Sequence, residues 1–99
     1  MTNQTIQIGD ADSGATARIL PGLGFNCCSF EVPHAGRMLE LLWSVDGFAE
    51  GNHSPSGSGI PILFPFPGRI PGAVLRWRDQ DYQLVASDGL GNAIHGFVL

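Results

Sequence analysis

The chain has 99 residues, of which five are arginine, none is lysine and nine are acidic, so its formal net charge is −4. This charge argues against nucleic acid and anionic membrane surfaces as partners. No apolar run approaches the roughly 18 residues of a membrane-spanning helix, and the first residues lack the basic-then-apolar pattern of a signal peptide. We therefore expect a cytoplasmic protein with one domain over residues 1–99 and no internal boundary.

Short alternating segments dominate the first part of the chain. Period-two alternation predicts strands over residues 5–8, 15–20 and 25–32, separated by turns rich in glycine. The adjacent Cys27 and Cys28 point to opposite faces of the third strand, so a disulfide between them is not expected. Both are predicted to be reduced, partly buried packing residues, since no second Cys or His lies at a metal-ligand spacing.

The middle and end of the chain continue the same pattern. Residues 37–45 fit both helical and strand spacing, and the glycines that bound this short window favour a strand. Residues 50–58 form a polar loop that has nothing to bury and is expected to be mobile. Residues 73–78 and 82–85 are predicted to form a hairpin around a turn at residues 79–81.

A loop follows at residues 87–92, and residues 97–99 have the pattern of a strand that is just beginning. Short strands at regular spacing predict an all-β fold, built as an antiparallel β-sandwich.

One stretch fits neither a helix nor a central strand. Residues 59–70 read GIPILFPFPGRI, and the three prolines remove backbone donors that both structures need. We call this segment the proline-rich ribbon. It is predicted to be extended, irregular and ordered, with Ile62, Leu63, Phe64 and Phe66 buried, so that it holds Arg69 still.

A second motif allows a comparison with a known family. Residues 91–97 read GNAIHGF, and together with the ribbon they resemble the N-terminal part of the aldose 1-epimerase (galactose mutarotase) family. Residues 17–24 (ARILPGLG), residues 41–43 (LLW) and the hairpin between the two motifs also resemble that family's opening strands. The resemblance covers nearly the whole chain.

The resemblance implies both a fold and an activity. The fold is a large antiparallel β-sandwich, the galactose mutarotase-like supersandwich, of which this chain would hold the first strands. The activity is the interconversion of α and β anomers of a free aldohexose such as glucose or galactose, without a metal or another cofactor.

The resemblance also assigns roles to individual residues. Arg69 would bind sugar hydroxyls, His95 would contact the sugar near its reacting end as a catalytic residue, and Asn92 is the third predicted substrate-binding residue. The family's general acid, a second histidine, and its general base, a glutamate, are expected beyond Leu99. The 99 residues alone are therefore expected to be inactive.

Each of these residues also has a simpler interpretation. Arg69 could cap loop carbonyls or pair with a surface carboxylate, and His95 could be a core histidine between two apolar neighbours. Asp88 could be considered as a base, but an ordinary loop carboxylate is the preferred interpretation. The sequence also departs from the family, which usually has Asn where this chain has Gly68.

Three alternatives to the isomerase are also open. The chain could be a non-catalytic carbohydrate-binding module, or part of a relative that acts on phosphosugars, although five arginines are few for that purpose. Exposed strand edges would also allow self-association.

Overall fold

The structure, a computed structural model, describes residues 4–99. Its regular elements are antiparallel strands and two short 3₁₀ helices, and no α-helix occurs among the described residues, which confirms the predicted all-β class. The chain divides into two compact units, one with residues 4–62 together with Leu99 and the other with Leu63–Val98. The single domain over residues 1–99 stays a prediction. No helix in the described part is long and apolar enough to cross a membrane.

The first unit contains a four-stranded antiparallel sheet. Its strands follow the order β1-β2-β3-β4, with β1 at Ile6–Gly9, β2 at Thr16–Leu20, β3 at Asn26–His34 and β4 at Arg37–Glu40. The first three strands lie within about two residues of their predicted bounds, a normal uncertainty for strand ends.

Strand β4 is shorter than the predicted strand over residues 37–45. Its last residue, Glu40, accepts hydrogen bonds through Oε2 from the backbone amides of Phe30 (2.8 Å) and Leu42 (3.2 Å). Ser29 Oγ donates to the other carboxylate oxygen. These bonds lower the pKa of Glu40, the Ser29 hydroxyl having the largest effect. The Glu40 side chain thus binds the Phe30 amide in place of a backbone carbonyl. The pairing with β3 therefore ends with the hydrogen bond from the Leu41 amide to the Phe30 carbonyl at 2.8 Å.

A β-bulge changes the alternation of β3. Arg18 pairs with Ser29, but the next residue of β2 pairs with Cys27, so Cys28 is an extra residue on β3. Asn26 and Ser29 are consequently both buried, although simple alternation placed them on opposite faces. Cys27 and Cys28 are each half-buried, as predicted.

The polar loop predicted over residues 50–58 contains a buried residue, Ser58. Ser58 is 5% exposed, and its carbonyl oxygen accepts a hydrogen bond from Asn26 Nδ2 at 2.9 Å. The prediction that the loop has nothing to bury is therefore wrong at its last residue, because Ser58 provides the polar partner that the buried Asn26 needs.

The second unit contains two small antiparallel sheets. One pairs β5 (Arg69–Ile70) with β8 (Ala93–Ile94), and the other pairs β6 (Val74–Trp77) with β7 (Gln80–Gln83). The second pair confirms the predicted hairpin.

The hairpin's turn begins one residue earlier and ends two residues earlier than predicted. It is formed by Arg78 and Asp79, whose φ angles of 50° and 63° are both positive. A two-residue turn with two positive φ angles has the twist that antiparallel strands favour. Gln80 therefore already belongs to β7, and the sequence lacks the glycine or asparagine that usually marks such a turn.

The proline-rich ribbon is irregular, as predicted, but its side chains are less buried than expected. Ile62 and Phe64 are 42% and 64% exposed. Phe66 is half-buried and packs edge-on against Phe97, with ring centroids 5.7 Å apart. Residues 97–99 form no strand, and the Phe97 amide donates instead to the carbonyl of Phe64 at 2.7 Å.

Candidate functional site

The sheet formed by β5 and β8 brings the two sequence motifs together. Arg69 pairs with Ile94, and Ile70 pairs with Ala93, which is 2% exposed. The end of the proline-rich ribbon and the GNAIHGF segment thus lie side by side within the second unit.

A close approach of two backbones fixes this arrangement. A Cβ atom on Gly96 would overlap the carbonyl group of Phe64 and lie 2.9 Å from the nitrogen of Pro65. Gly96 also has a φ of 70°, in the left-handed region that glycine enters without penalty. The glycine of the second motif is therefore needed for its contact with the ribbon.

His95 makes two hydrogen bonds to Gly68, one through its backbone and one through its ring. Its amide donates to the Gly68 carbonyl at 2.9 Å, and its Nδ1 accepts from the Gly68 amide at 3.2 Å. Because Nδ1 uses its lone pair as an acceptor, the neutral ring carries its proton on Nε2. His95 is half-buried and has a φ of 59°, a region in which histidine is more frequent than most residues.

Arg69 has one end of its guanidinium fixed and the rest accessible. Its Nε donates to Asp88 Oδ2 at 2.9 Å, and 57% of its side chain is exposed. Within residues 4–99, its two terminal nitrogens make no hydrogen bond. These nitrogens form a planar set of donors that suits hydroxyl or carboxylate oxygens.

Asp88 is the centre of the hydrogen bonds around the site. Its side chain is 1% exposed, and its carboxylate accepts four hydrogen bonds. The Asn92 side chain, followed by the amides of Asn92 and Leu90 and by Arg69, holds the pKa of Asp88 far below its ordinary value, against the opposing effect of burial. A carboxylate that binds protons so weakly is a poor general base.

Asn92 connects this loop to the segment after β5. Its Oδ1 accepts from the Gly72 amide at 3.0 Å, and its Nδ2 donates to Asp88 Oδ2 at 2.9 Å. One Nδ2 hydrogen is still available to a ligand, since an amide nitrogen has two. Binding of substrate by Asn92 stays a prediction, whereas its contribution to loop structure is shown.

The predicted site residues are thus brought into one unit, and sequence reasoning missed the residue that organises them. Asp88 was expected to be an ordinary loop carboxylate. The signal for its role was the order Asp88-Gly89 followed by Asn92, because Asp and Asn in a loop hydrogen-bond nearby backbone amides.

Other polar groups of the chain lie elsewhere. His34 and His53 are exposed, as predicted. A cavity of about 450 Å³ in the first unit is lined by residues 42–50 together with Thr5, Arg18, Cys28 and Glu40. Burial raises the pKa of the Cys28 thiol, so this cysteine is not an activated nucleophile.

No group of three or more His, Cys, Asp or Glu side chains in residues 4–99 is arranged to hold a metal ion. No protein-family model matches the chain, and a search of curated proteins found no significant match.

Proposed function

We propose that this chain is the sugar-binding N-terminal part of an aldose 1-epimerase-like isomerase, which interconverts the α and β anomers of a free aldohexose. The complete fold would be an antiparallel β-sandwich of the galactose mutarotase type in a cytoplasmic protein. The observation that carries the proposal is the pairing of β5 with β8, which joins the two motifs that resemble this family.

Under this proposal, Arg69 and His95 have complementary roles. The free terminal nitrogens of Arg69 donate to sugar hydroxyls, for which a planar set of fixed donors is well suited. The His95 ring donates from Nε2 to an oxygen near the reacting end of the sugar, because Nδ1 is engaged by Gly68. Both side chains thus act as hydrogen-bond donors to the sugar.

The chemistry needs an acid and a base on opposite sides of the ring. The base removes the proton of the anomeric hydroxyl while the acid protonates the ring oxygen, and the C1–O5 bond breaks. The open-chain aldehyde rotates, and the ring closes on its other face. Following the resemblance, we assign these two roles to a histidine and a glutamate of a longer chain.

A second candidate is a module that binds sugar without converting it. The state of Asp88 favours this alternative for the 99 residues alone. Asp88 lies in the loop that leads into the second motif, and its hydrogen bonds leave it a poor base. Under this alternative, Arg69 and His95 keep their binding roles and no anomer exchange is observed.

Polarimetry on freshly dissolved α-glucose and α-galactose tests the proposal with the complete gene product. We expect mutarotation above the buffer rate, and we expect Arg69→Ala and His95→Ala each to lower kcat/KM by about tenfold or more, as for the loss of a charged or well-aligned hydrogen bond. Arg76→Ala is the matched control, since Arg76 is an exposed arginine of the hairpin.

The outcomes separate the two candidates. A rate no higher than buffer on both sugars, with no binding by the 99-residue chain, contradicts both candidates. Sugar-dependent NMR shifts at Arg69 and His95 without any mutarotation support the binding module instead.

A further inference from the structure

Four hydrogen bonds fix the carboxylate of Asp88 in the loop before β8. Oδ1 accepts from the amides of Leu90 (2.7 Å) and Asn92 (3.0 Å), and Oδ2 accepts from Asn92 Nδ2 and Arg69 Nε (both 2.9 Å). Both oxygens are thus fixed, and the carboxylate cannot rotate without losing hydrogen bonds. Three of these bonds belong to the loop itself, and the fourth reaches β5.

From this geometry we infer that Asp88 is a positioning residue for Arg69. A free arginine side chain loses rotamer entropy when a ligand orders it, and this loss weakens binding. Asp88 orders the guanidinium in advance, and it does so through Nε, so that the two terminal nitrogens stay available to sugar hydroxyls. The sugar-binding part of this inference rests on the proposed function; the ordering of Arg69 does not.

A second ion pair in the same unit shows the contrast. Arg76 Nε lies 3.2 Å from Asp81 Oδ1 across the hairpin, with side chains that are 81% and 58% exposed. Pairs of this exposed kind contribute little and leave the arginine mobile. The side chain of Asp88, in contrast, is only 1% exposed. A carboxylate that is buried in this way is fixed in position, and it therefore restricts the arginine that it binds.

The first test uses the unmodified 99-residue chain. NMR relaxation and hydrogen exchange of the arginine Nε–Hε groups compare Arg69 directly with Arg76. We expect the Arg69 group to be rigid and slow to exchange, and the Arg76 group to be mobile. If Arg69 is as mobile as Arg76, the inference is overturned without any variant.

The second test compares Asp88→Asn with Asp81→Asn. The amide oxygen of the first variant can still accept from the amides of Leu90 and Asn92, so the loop keeps those contacts while the charge that orders Arg69 is removed. We expect the Arg69 Nε–Hε signal to shift and exchange faster only in Asp88→Asn. We also expect galactose or glucose affinity to fall by about tenfold in this variant, and to stay unchanged in Asp81→Asn.

The two proposals fail in different ways. An Asp88→Asn chain that binds sugar as tightly as the unmodified chain, with an unchanged Arg69 signal, overturns the positioning role and leaves the proposed function intact. If neither the unmodified chain nor its variants bind sugar, the sugar-binding part of the proposed function is contradicted. The Arg69 Nε–Hε signals then still decide whether Asp88 orders the arginine. If Asp88→Asn does not fold, the measurement on the unmodified chain decides alone.

Discussion

Gly96→Ala should disrupt the second unit, because it separates the two motifs at their closest approach. The new Cβ would overlap the carbonyl of Phe64, which is a backbone group of the proline-rich ribbon and cannot turn aside as a side chain can. The substitution also places a side chain at a φ of 70°. Relief of the overlap requires Phe64 and Gly96 to move apart.

The size of the effect can be built from the contacts that are lost. An L-residue in the left-handed region costs about 1–2 kcal/mol. Movement of the ribbon removes the hydrogen bond from the Phe97 amide to the Phe64 carbonyl, worth about 1 kcal/mol. It also separates the edge-on ring pair of Phe66 and Phe97, worth about 1 kcal/mol. We expect a loss of roughly 3–4 kcal/mol in the free energy of unfolding of this unit.

Gly68→Ala is the matched control. Gly68 has nearly the same φ, 67°, but a Cβ there meets nothing within 4 Å. It should therefore cost only the backbone strain of about 1–2 kcal/mol.

Urea titration followed by the NMR signal of the Trp77 indole reports the second unit, and the Trp43 indole reports the first. If Gly96→Ala and Gly68→Ala lower the free energy of unfolding reported by Trp77 by the same amount, the prediction is refuted. The contact with Phe64 would then have no effect beyond the backbone strain.

Two further predictions concern acid stability and the first unit. Hydrogen bonds depress the pKa of Asp88 below its ordinary value of 3.8, so the stability that ionised Asp88 provides is complete above about that pH and is lost as the pH falls towards its folded-state pKa. Acid titration followed by the Trp77 indole signal should show this loss of stability. The pH dependence should be weaker in Asp88→Asn, and an identical acid profile in this variant would contradict the prediction. Gly59→Ala should destabilise the first unit by about 3 kcal/mol or more, because its Cβ would lie 2.6 Å from the Cys27 carbonyl oxygen at a φ of 61°. Urea unfolding followed by the Trp43 indole measures this effect, and a loss below about 1 kcal/mol would count against it.

Strands that depend on local alternation could be predicted from the sequence, whereas their irregularities could not. The period-two pattern was sufficient for β2 and β3, but not for the bulge at Cys28, which depends on how two strands pair. The end of β4 is set by the side chain of Glu40, which bonds an amide ten residues earlier. Such contacts join residues that are distant in sequence, so the pattern of neighbouring residues does not predict them.

Burial was predicted less well than strand position. The ribbon's apolar residues were expected to be covered, yet Phe64 is 64% exposed and Ile62 is 42% exposed. Among the described residues, the buried apolar residues are few and mostly small: Ala17, Leu20, Phe48, Ala73 and Ala93. An apolar side chain in a small domain competes for few covered positions, so hydrophobicity alone does not decide its burial.

The candidate site shows the same division between local and distant information. Arg69 and His95 could be selected because each lies in a recognisable motif. The local hydrogen bonds of Asp88 have a sequence signal in Asp88-Gly89 and Asn92, but its pairing with Arg69 has none, because that arginine lies nineteen residues earlier in the chain. The simpler interpretation of Arg69, pairing with a surface carboxylate, is correct about the pairing but wrong about the surface, because the side chain of Asp88 is 1% exposed. It does not oppose a binding role, since the pair engages only Nε.

Gly68 lies where the family proposed from the sequence resemblance usually has asparagine. Its φ of 67° lies in the left-handed region, where glycine and asparagine are the residues best tolerated. In this conformation the Gly68 amide donates to His95 Nδ1. What the chain lacks at this position is a side-chain amide. Under the proposed function, the departure bears on sugar affinity and specificity rather than on folding, and Arg69 and His95 carry a larger share of the polar contacts.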